Sequence, residues 1–282
     1  MVNGRYQLIQ PLRPPNPALP TEIFTVKDWD MAEEAGQDIK VMKVLKYTHH
    51  RDLLRLFKQE ARVLMWLRHP AIPQVEPDGY FRCTTREGRH LQCLVMTYLA
   101  GENLTQWLAR NGPISSDRAG EWLHQLAQIL ELLHREGIYH RDIKPGNLMV
   151  MPDQRLALVD FGSVGCSHSG TTPVGTSGYG APEQLAGKGV PQSDFFALGR
   201  TFVHLLSGKS PIYFAMDMKT GRLLWRELAG VSVSLGDVVD ELMAPTPAER
   251  PKTARGLVEL INRRSLRLEA ISPVETRDFT PR

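Results

Sequence analysis

The chain is poor in cysteine. Of its 282 residues only Cys83, Cys93 and Cys166 carry thiols, an odd number with no C-x-x-C pair. Neither a disulfide framework nor a zinc site is suggested, so buried thiols in a reducing compartment are expected. No apolar run approaches the roughly 18 residues that a membrane span requires. The opening residues Met1-Val2-Asn3-Gly4-Arg5-Tyr6 lack the charged region and apolar stretch of a secretory signal. A cytoplasmic location without a membrane span is the expectation. Excess charge is also missing: the formal net charge is +3, and Lys and Arg are not clustered with aromatics, so no nucleic-acid partner is expected. Glycine is absent between Gly4 and Gly36.

What is present is a globular composition, 42% apolar and 23% charged, long enough for one or two domains. Residues 5 to 45 carry strand patterns at Tyr6 to Ile9, Glu22 to Val26 and Ile39 to Leu45. Between the first two, residues 11 to 20 contain Pro11, Pro14, Pro15, Pro17 and Pro20. This density predicts a stiff, extended loop. Residues 52 to 67 predict an amphipathic helix in which Glu60 shares the face of Leu56 and Leu64. A carboxylate on a core-facing stripe needs a partner, and Lys43, in Val41-Met42-Lys43 of the third strand, is the candidate.

A hairpin is expected from Tyr80 to Cys83 and Leu91 to Thr97. The pattern then changes to helical spacing, with helices over Leu104 to Ala109, Ser115 to Glu136, Ser193 to Leu206 and Thr253 to Arg264. Gly137 is placed to terminate the long one. Ser265 to Arg282, with two prolines and mixed charge, reads as a disordered tail.

The densest signal lies after the long helix. Residues 139 to 147 read Tyr-His-Arg-Asp-Ile-Lys-Pro-Gly-Asn, and Asp160-Phe161-Gly162 follows, each flanked by apolar runs. Residues 175 to 183 read Gly-Thr-Ser-Gly-Tyr-Gly-Ala-Pro-Glu. In order and spacing these resemble the catalytic loop, metal loop and activation segment of the protein-kinase family, over roughly residues 4 to 264. The wording from Ser193 to Arg200 is similar to bacterial, including cyanobacterial, eukaryotic-type serine/threonine kinases.

The resemblance implies an α+β, bilobal kinase fold. Its small antiparallel β N-lobe with one main helix would occupy residues 1–98, and a larger, mostly helical C-lobe residues 99–264. It implies an enzyme using ATP and Mg²⁺ to phosphorylate serine and threonine hydroxyls of protein substrates. Phosphoryl transfer needs an aligned nucleophile and charge stabilisation more than covalent help. Asp142 would orient the hydroxyl and accept its proton, and Lys144 would reach the moving phosphate. Asn147 and Asp160 would supply oxygens to Mg²⁺. Lys43, Glu60, Met96, Tyr98 and Met149 would line the nucleotide site, with Thr97 and Leu99 completing the hinge. Lys144 and Thr176 match serine/threonine rather than tyrosine kinases. Asp194 either caps its helix or, as the resemblance implies, ties that helix to the catalytic loop, and Arg250 would pair with Glu183. A phosphate on Ser167, Ser169, Thr171 or Thr172 would meet Arg141 and order the loop.

One element of the family pattern is missing. The G-x-G-x-x-G loop, whose backbone N–H groups approach the phosphates, is replaced by the proline-rich stretch, and proline has no N–H. Arg13 or Thr21 could take its place over the phosphates. Val41 stands where alanine is usual. Three readings stay open: an active serine/threonine kinase with a non-standard lid, a pseudokinase acting as a nucleotide-binding or scaffolding module, and a small-molecule phosphotransferase.

Overall fold

The computed structural model describes residues 1–31, 38–166 and 175–269. The chain forms two compact units, Met1–Trp107 with Pro145–Ser169, and Leu108–Lys144 with Gly170–Arg282. The first unit is therefore discontinuous and takes in Asp160-Phe161-Gly162.

In the first unit, β1 (Tyr6–Pro11), β2 (Thr21–Asp28), β3 (Ile39–Leu45), β4 (Tyr80–Thr84) and β5 (His90–Thr97) form one antiparallel sheet in the order β1-β2-β3-β5-β4. Side chains alternate between faces along a strand. Met42 and Val44 therefore join Tyr6, Val26, Cys93 and Val95 in one buried cluster, while Lys43 points the other way. Helix α1 (Arg51–Trp66) buries Phe57, Glu60, Ala61, Val63 and Leu64. Its N-terminus is capped by His50, whose side chain accepts from the Leu53 N–H, and Leu67 closes it. Cys83 and Cys93 are free thiols whose Sγ atoms lie 3.4 Å apart across β4 and β5.

A second, small sheet joins β6 (Glu102–Asn103), β8 (Leu148–Val150) and β9 (Leu156–Leu158) in the order β6-β8-β9. The Leu158 N–H donates to the Ala71 carbonyl at 2.9 Å, so this hairpin is fastened to the segment following α1.

The stretch from Pro11 to Thr21 is not the extended loop its prolines suggest. It turns at Asn16, whose side chain accepts from the Ala18 N–H (2.9 Å) while its carbonyl accepts from the Leu19 N–H (3.1 Å). The turned strap is tied to the end of β3 and the residues beyond. Lys46 Nζ donates to the Asn16 carbonyl, Tyr47 Oη to that of Pro17, and the Lys46 N–H to that of Pro20.

The second unit is helical. Helix α3 (Ser116–Arg135) buries Trp122, Leu123, Leu126, Ile129, Leu130 and Leu133 along one stripe. Ser115 caps it by accepting from the Arg118 N–H, and Gly137 follows at φ 67°. Truncating one such residue, Leu126→Ala, is expected to cost about 2–5 kcal/mol. Helix α5 (Pro191–Ser207) is buried over most of its length and ends at Gly208 with φ 71°, a left-handed cap that glycine tolerates. It packs against α7 (Val233–Leu242), and at Gly199 an added Cβ would lie 2.5 Å from Met243 Cγ. Helix α8 runs from Ala254 to Glu269. The first residues of the expected tail from Ser265 are thus helical.

Candidate active site

Strand β3 and helix α1 meet at a buried charge cluster. Lys43 Nζ lies 2.7 and 2.9 Å from the two carboxylate oxygens of Glu60 and 2.7 Å from Asp160 Oδ1. Burial alone would pull the Lys43 ammonium down, but Asp160 and Glu60 outweigh it and hold it well above lysine's ordinary value. Burial pushes the Glu60 carboxyl up; Lys43 opposes this and Asp160 adds to it. The lysine is therefore a firmly charged ammonium shared by two carboxylates, and the third corner is the accessible one. The Asp160 side chain is 46% exposed, against 2% for Glu60.

Local backbone sets this corner. Asp160 has φ 62°, left-handed for a residue that is not glycine, an arrangement that costs energy and concentrates at functional positions. Behind it, a Cβ at Gly162 would stand 3.2 Å from both Asp160 Oδ1 and Lys43 Nζ. A side chain there would push the cluster aside by a few tenths of an ångström.

The cluster forms part of the wall of a cavity of about 420 Å³ within the first unit. Lys43, Glu60, Met96, Tyr98, Met149 and Asp160, all expected around a nucleotide, line it together. Thr97, Leu99 and Val41 do as well. The Thr97 hydroxyl also accepts the Gln74 N–H at 2.9 Å, which anchors the end of β5. Asn147 is buried on the turn Pro145–Asn147 and does not line the cavity. Its carbonyl accepts the Val159 N–H at 2.9 Å, which pins this turn to the residue preceding Asp160.

Oxygen donors from Asn147 and Asp160 fit a hard divalent cation. Among the described residues no group of three or more His, Cys, Asp or Glu is arranged to cage a metal. Mg²⁺ characteristically binds through one or two side chains and substrate phosphates, so this donor set suits it.

In the second unit, Asp142, Lys144 and Thr176 close a triangle. Lys144 Nζ donates to Asp142 Oδ2 and to Thr176 Oγ1, and Thr176 Oγ1 donates to Asp142 Oδ1, each at 2.7 Å. The Asp142 carboxylate is thereby fixed in orientation. The loop carrying it is held from below by Asp194, which accepts from the backbone N–H groups of His140 (2.9 Å) and Arg141 (2.7 Å) and pairs with His134 Nε2 (2.9 Å). Asp194 thus ties its helix to the loop that carries Asp142, and the Val190 N–H at the helix start is taken by Ser193. Glu183 and Arg250 form a two-pronged ion pair at 2.6 and 3.2 Å, and Arg250 also lies over the Phe196 ring.

Sequence reasoning missed three participants. Gln184 Nε2 donates to the Arg141 carbonyl at 2.7 Å, and His134 shares Asp194; a polar residue beside Ala-Pro-Glu and a histidine one turn before the loop were the available signals. The third is Asn16, the pivot of the strap. Ser167, Ser169, Thr171 and Thr172 lie outside the described residues.

Comparison with known proteins adds the following. A family model described as protein kinase domain matches residues 29–261. The chain is 35% identical over 278 residues to serine/threonine-protein kinase C of Synechocystis sp. (strain ATCC 27184 / PCC 6803 / Kazusa), covering 93% of this chain and 50% of that protein. It is 36% identical over 228 residues to serine/threonine-protein kinase F of the same organism, covering 74% and 45%. To serine/threonine-protein kinase PknA of Mycobacterium tuberculosis (strain ATCC 25177 / H37Ra) it is 31% identical over 241 residues, covering 82% and 52%. The chain spans about half the length of the curated relatives it matches.

Proposed function

Since the chain belongs to the protein kinase domain family, we propose that it is a serine/threonine protein kinase, transferring the γ-phosphoryl group of ATP to serine and threonine hydroxyls of protein substrates. The observation that carries the reading is the Lys43 ammonium shared between Glu60 and Asp160 in the cavity wall. A buried cation held this way is preorganised for phosphate oxygens and needs no rearrangement as charge moves.

The roles follow the residues. Met96, Tyr98 and Met149 flank the base, and Lys43 sets the phosphates, positioned by Glu60. Asp160 and Asn147 would hold Mg²⁺, which when bound would neutralise charge on the phosphate oxygens. Asp142, oriented by Lys144 and Thr176, accepts the proton of the substrate hydroxyl, and Lys144 offers its charge to the phosphoryl group. Residues 1–98 act as the nucleotide lobe and 99–264 as the substrate lobe, with the stretch from 265 as a tail. No helix among the described residues is long and apolar enough to cross a membrane; a cytoplasmic site of action and no nucleic-acid partner complete the proposal.

The strap of prolines favours a second reading, a pseudokinase that binds nucleotide or scaffolds partners. One assay separates the two: transfer of radiolabel from ATP to a generic protein substrate. Turnover in wild type that disappears in Asp142→Ala supports the kinase. Equal counts in both proteins, or none in either, would sink it.

A further inference from the structure

We propose that Arg13 is a phosphate-binding residue of the cavity, so that the site takes a nucleoside di- or triphosphate through a side chain in its strap. The inference rests on the reading of this cavity as a nucleotide site.

Charge states the problem. Arg13, Lys43, Glu60 and Asp160 are the charged side chains that line the cavity. Lys43 lies between two carboxylates, so these three groups together carry one negative charge, a poor receptor for a polyanion. Arg13 is the other cation in the wall and brings the sum to zero.

The strap has little else to offer an anion. Of residues 11 to 20, the five prolines lack an N–H. The N–H groups of Leu12, Ala18 and Leu19 are already donated within the chain, to Ile23, Asn16 and Asn16. Among the described residues only the Arg13 and Asn16 amides are left over. A guanidinium, by contrast, carries five donors in a planar fork that matches phosphate geometry.

Arg13 is also held in place. Its Nη2 donates to the Thr21 carbonyl at 2.6 Å and to Thr21 Oγ1 at 3.1 Å. One corner of the fork is thereby clamped across the base of the strap, and Nε and Nη1 have no partner among the described residues. The ties from Lys46 and Tyr47 to Asn16, Pro17 and Pro20 fix the strap itself, so little ordering entropy is lost on binding.

The test is calorimetric titration of the full chain with Mg·ATP, Mg·ADP and adenosine, in wild type, Arg13→Met and Arg13→Lys. Methionine keeps an apolar stem and removes the charge; lysine keeps the charge and removes the fork. Arg13→Met is expected to weaken both phosphorylated ligands about ten- to a hundredfold, the size of a lost charged hydrogen bond, and to leave adenosine unchanged. Arg13→Lys should recover part of the loss. Affinity for ATP in wild type should fall more steeply with salt than in Arg13→Met. Unchanged ATP affinity in Arg13→Met overturns the proposal, and so does an equal loss of ATP and adenosine, which would make Arg13 a strap residue only. A wild-type chain that binds neither ATP nor adenosine overturns the reading of the cavity itself, and this inference with it.

Discussion

The backbone N–H of Arg141 donates to Oδ1 of Asp194 at 2.7 Å, from a residue held at φ 68°. A left-handed conformation at arginine costs about 1–3 kcal/mol and persists only where its surroundings impose it. Here a buried carboxylate imposes it, gathering two loop N–H groups and the imidazole of His134.

Asp194→Asn should therefore cost about 2–3 kcal/mol of stability, because an amide nitrogen would face a buried N–H. The pH dependence follows from the carboxyl. Burial alone would raise it, but His134 and the loop N–H groups more than offset this and hold it below its ordinary 3.8. A depressed folded value gives stability that is fully present above 3.8 and lost as pH falls through the lower folded value. Urea midpoints followed down to acid pH should show that loss in wild type and a flatter profile in Asp194→Asn. Parallel profiles would mean Asp194 is not the titrating tie.

Asp142→Ala and Asp160→Ala should each lower phosphotransfer by at least about a hundredfold, the scale of a lost general base or charge-stabilising group, while leaving the thermal midpoint nearly unchanged. The two should differ in binding. Asp160→Ala should weaken Mg-dependent nucleotide affinity and Asp142→Ala should not, which titration with and without Mg²⁺ would show. Turnover within a few-fold of wild type in either variant would move the reading to a pseudokinase.

Lys43→Met should remove most turnover and also destabilise the first unit by about 3–5 kcal/mol, since it strands Glu60 in the interior. The sign with pH is the reverse of that for Asp194. In the variant, burial and Asp160 both push the Glu60 carboxyl above its ordinary 4.5 with no cation to oppose them. Its neutral form is the one the interior tolerates, so stability is present at acid pH and lost as pH rises through the raised value. Lys43→Met should melt higher near pH 5 than near pH 8, and adding Glu60→Gln should level the two.

Arg250→Ala and Glu183→Ala should each cost about 3–5 kcal/mol, because the Arg250 side chain is fully buried and its partner nearly so. The double variant should cost less than the sum by about 0.5–3 kcal/mol, since the two losses are one interaction. Denaturation of the three proteins measures this; strict additivity would separate the pair energetically.

Much of this site is legible in the sequence because its residues obey local rules. Glu60 falls on an apolar face at helical spacing and so demands a cation; Lys43 answers it from β3. Ser115 and Gly137 mark the ends of α3 by capping chemistry alone. The strap is different. Its prolines correctly announce that backbone donors are missing, but its shape depends on Lys46 and Tyr47 reaching back 30 residues to Asn16 and Pro17, and no local pattern encodes a tie at that separation. His134 and Gln184 escaped for a related reason: each acts through a backbone group or carboxylate of another segment. The end of α8 differs from expectation because Ser265 looks like a boundary, yet the helix passes through it.

The discontinuity of the first unit has a consequence for how the protein is made. The chain leaves that unit after Trp107 and returns to it at Pro145. Translation supplies residues in order, at roughly 5–20 per second. The five strands can pair once Thr97 has emerged, but the Leu158 bond to Ala71 and the Asp160 contact with Lys43 must wait until all of α3 has been synthesised. Until then Asp160 is not there to meet Lys43. A fragment of residues 1–107 therefore lacks Gly146, Met149, Val159 and Asp160 from the cavity wall. It holds the lysine without its second carboxylate, and the Ala71 carbonyl without its donor.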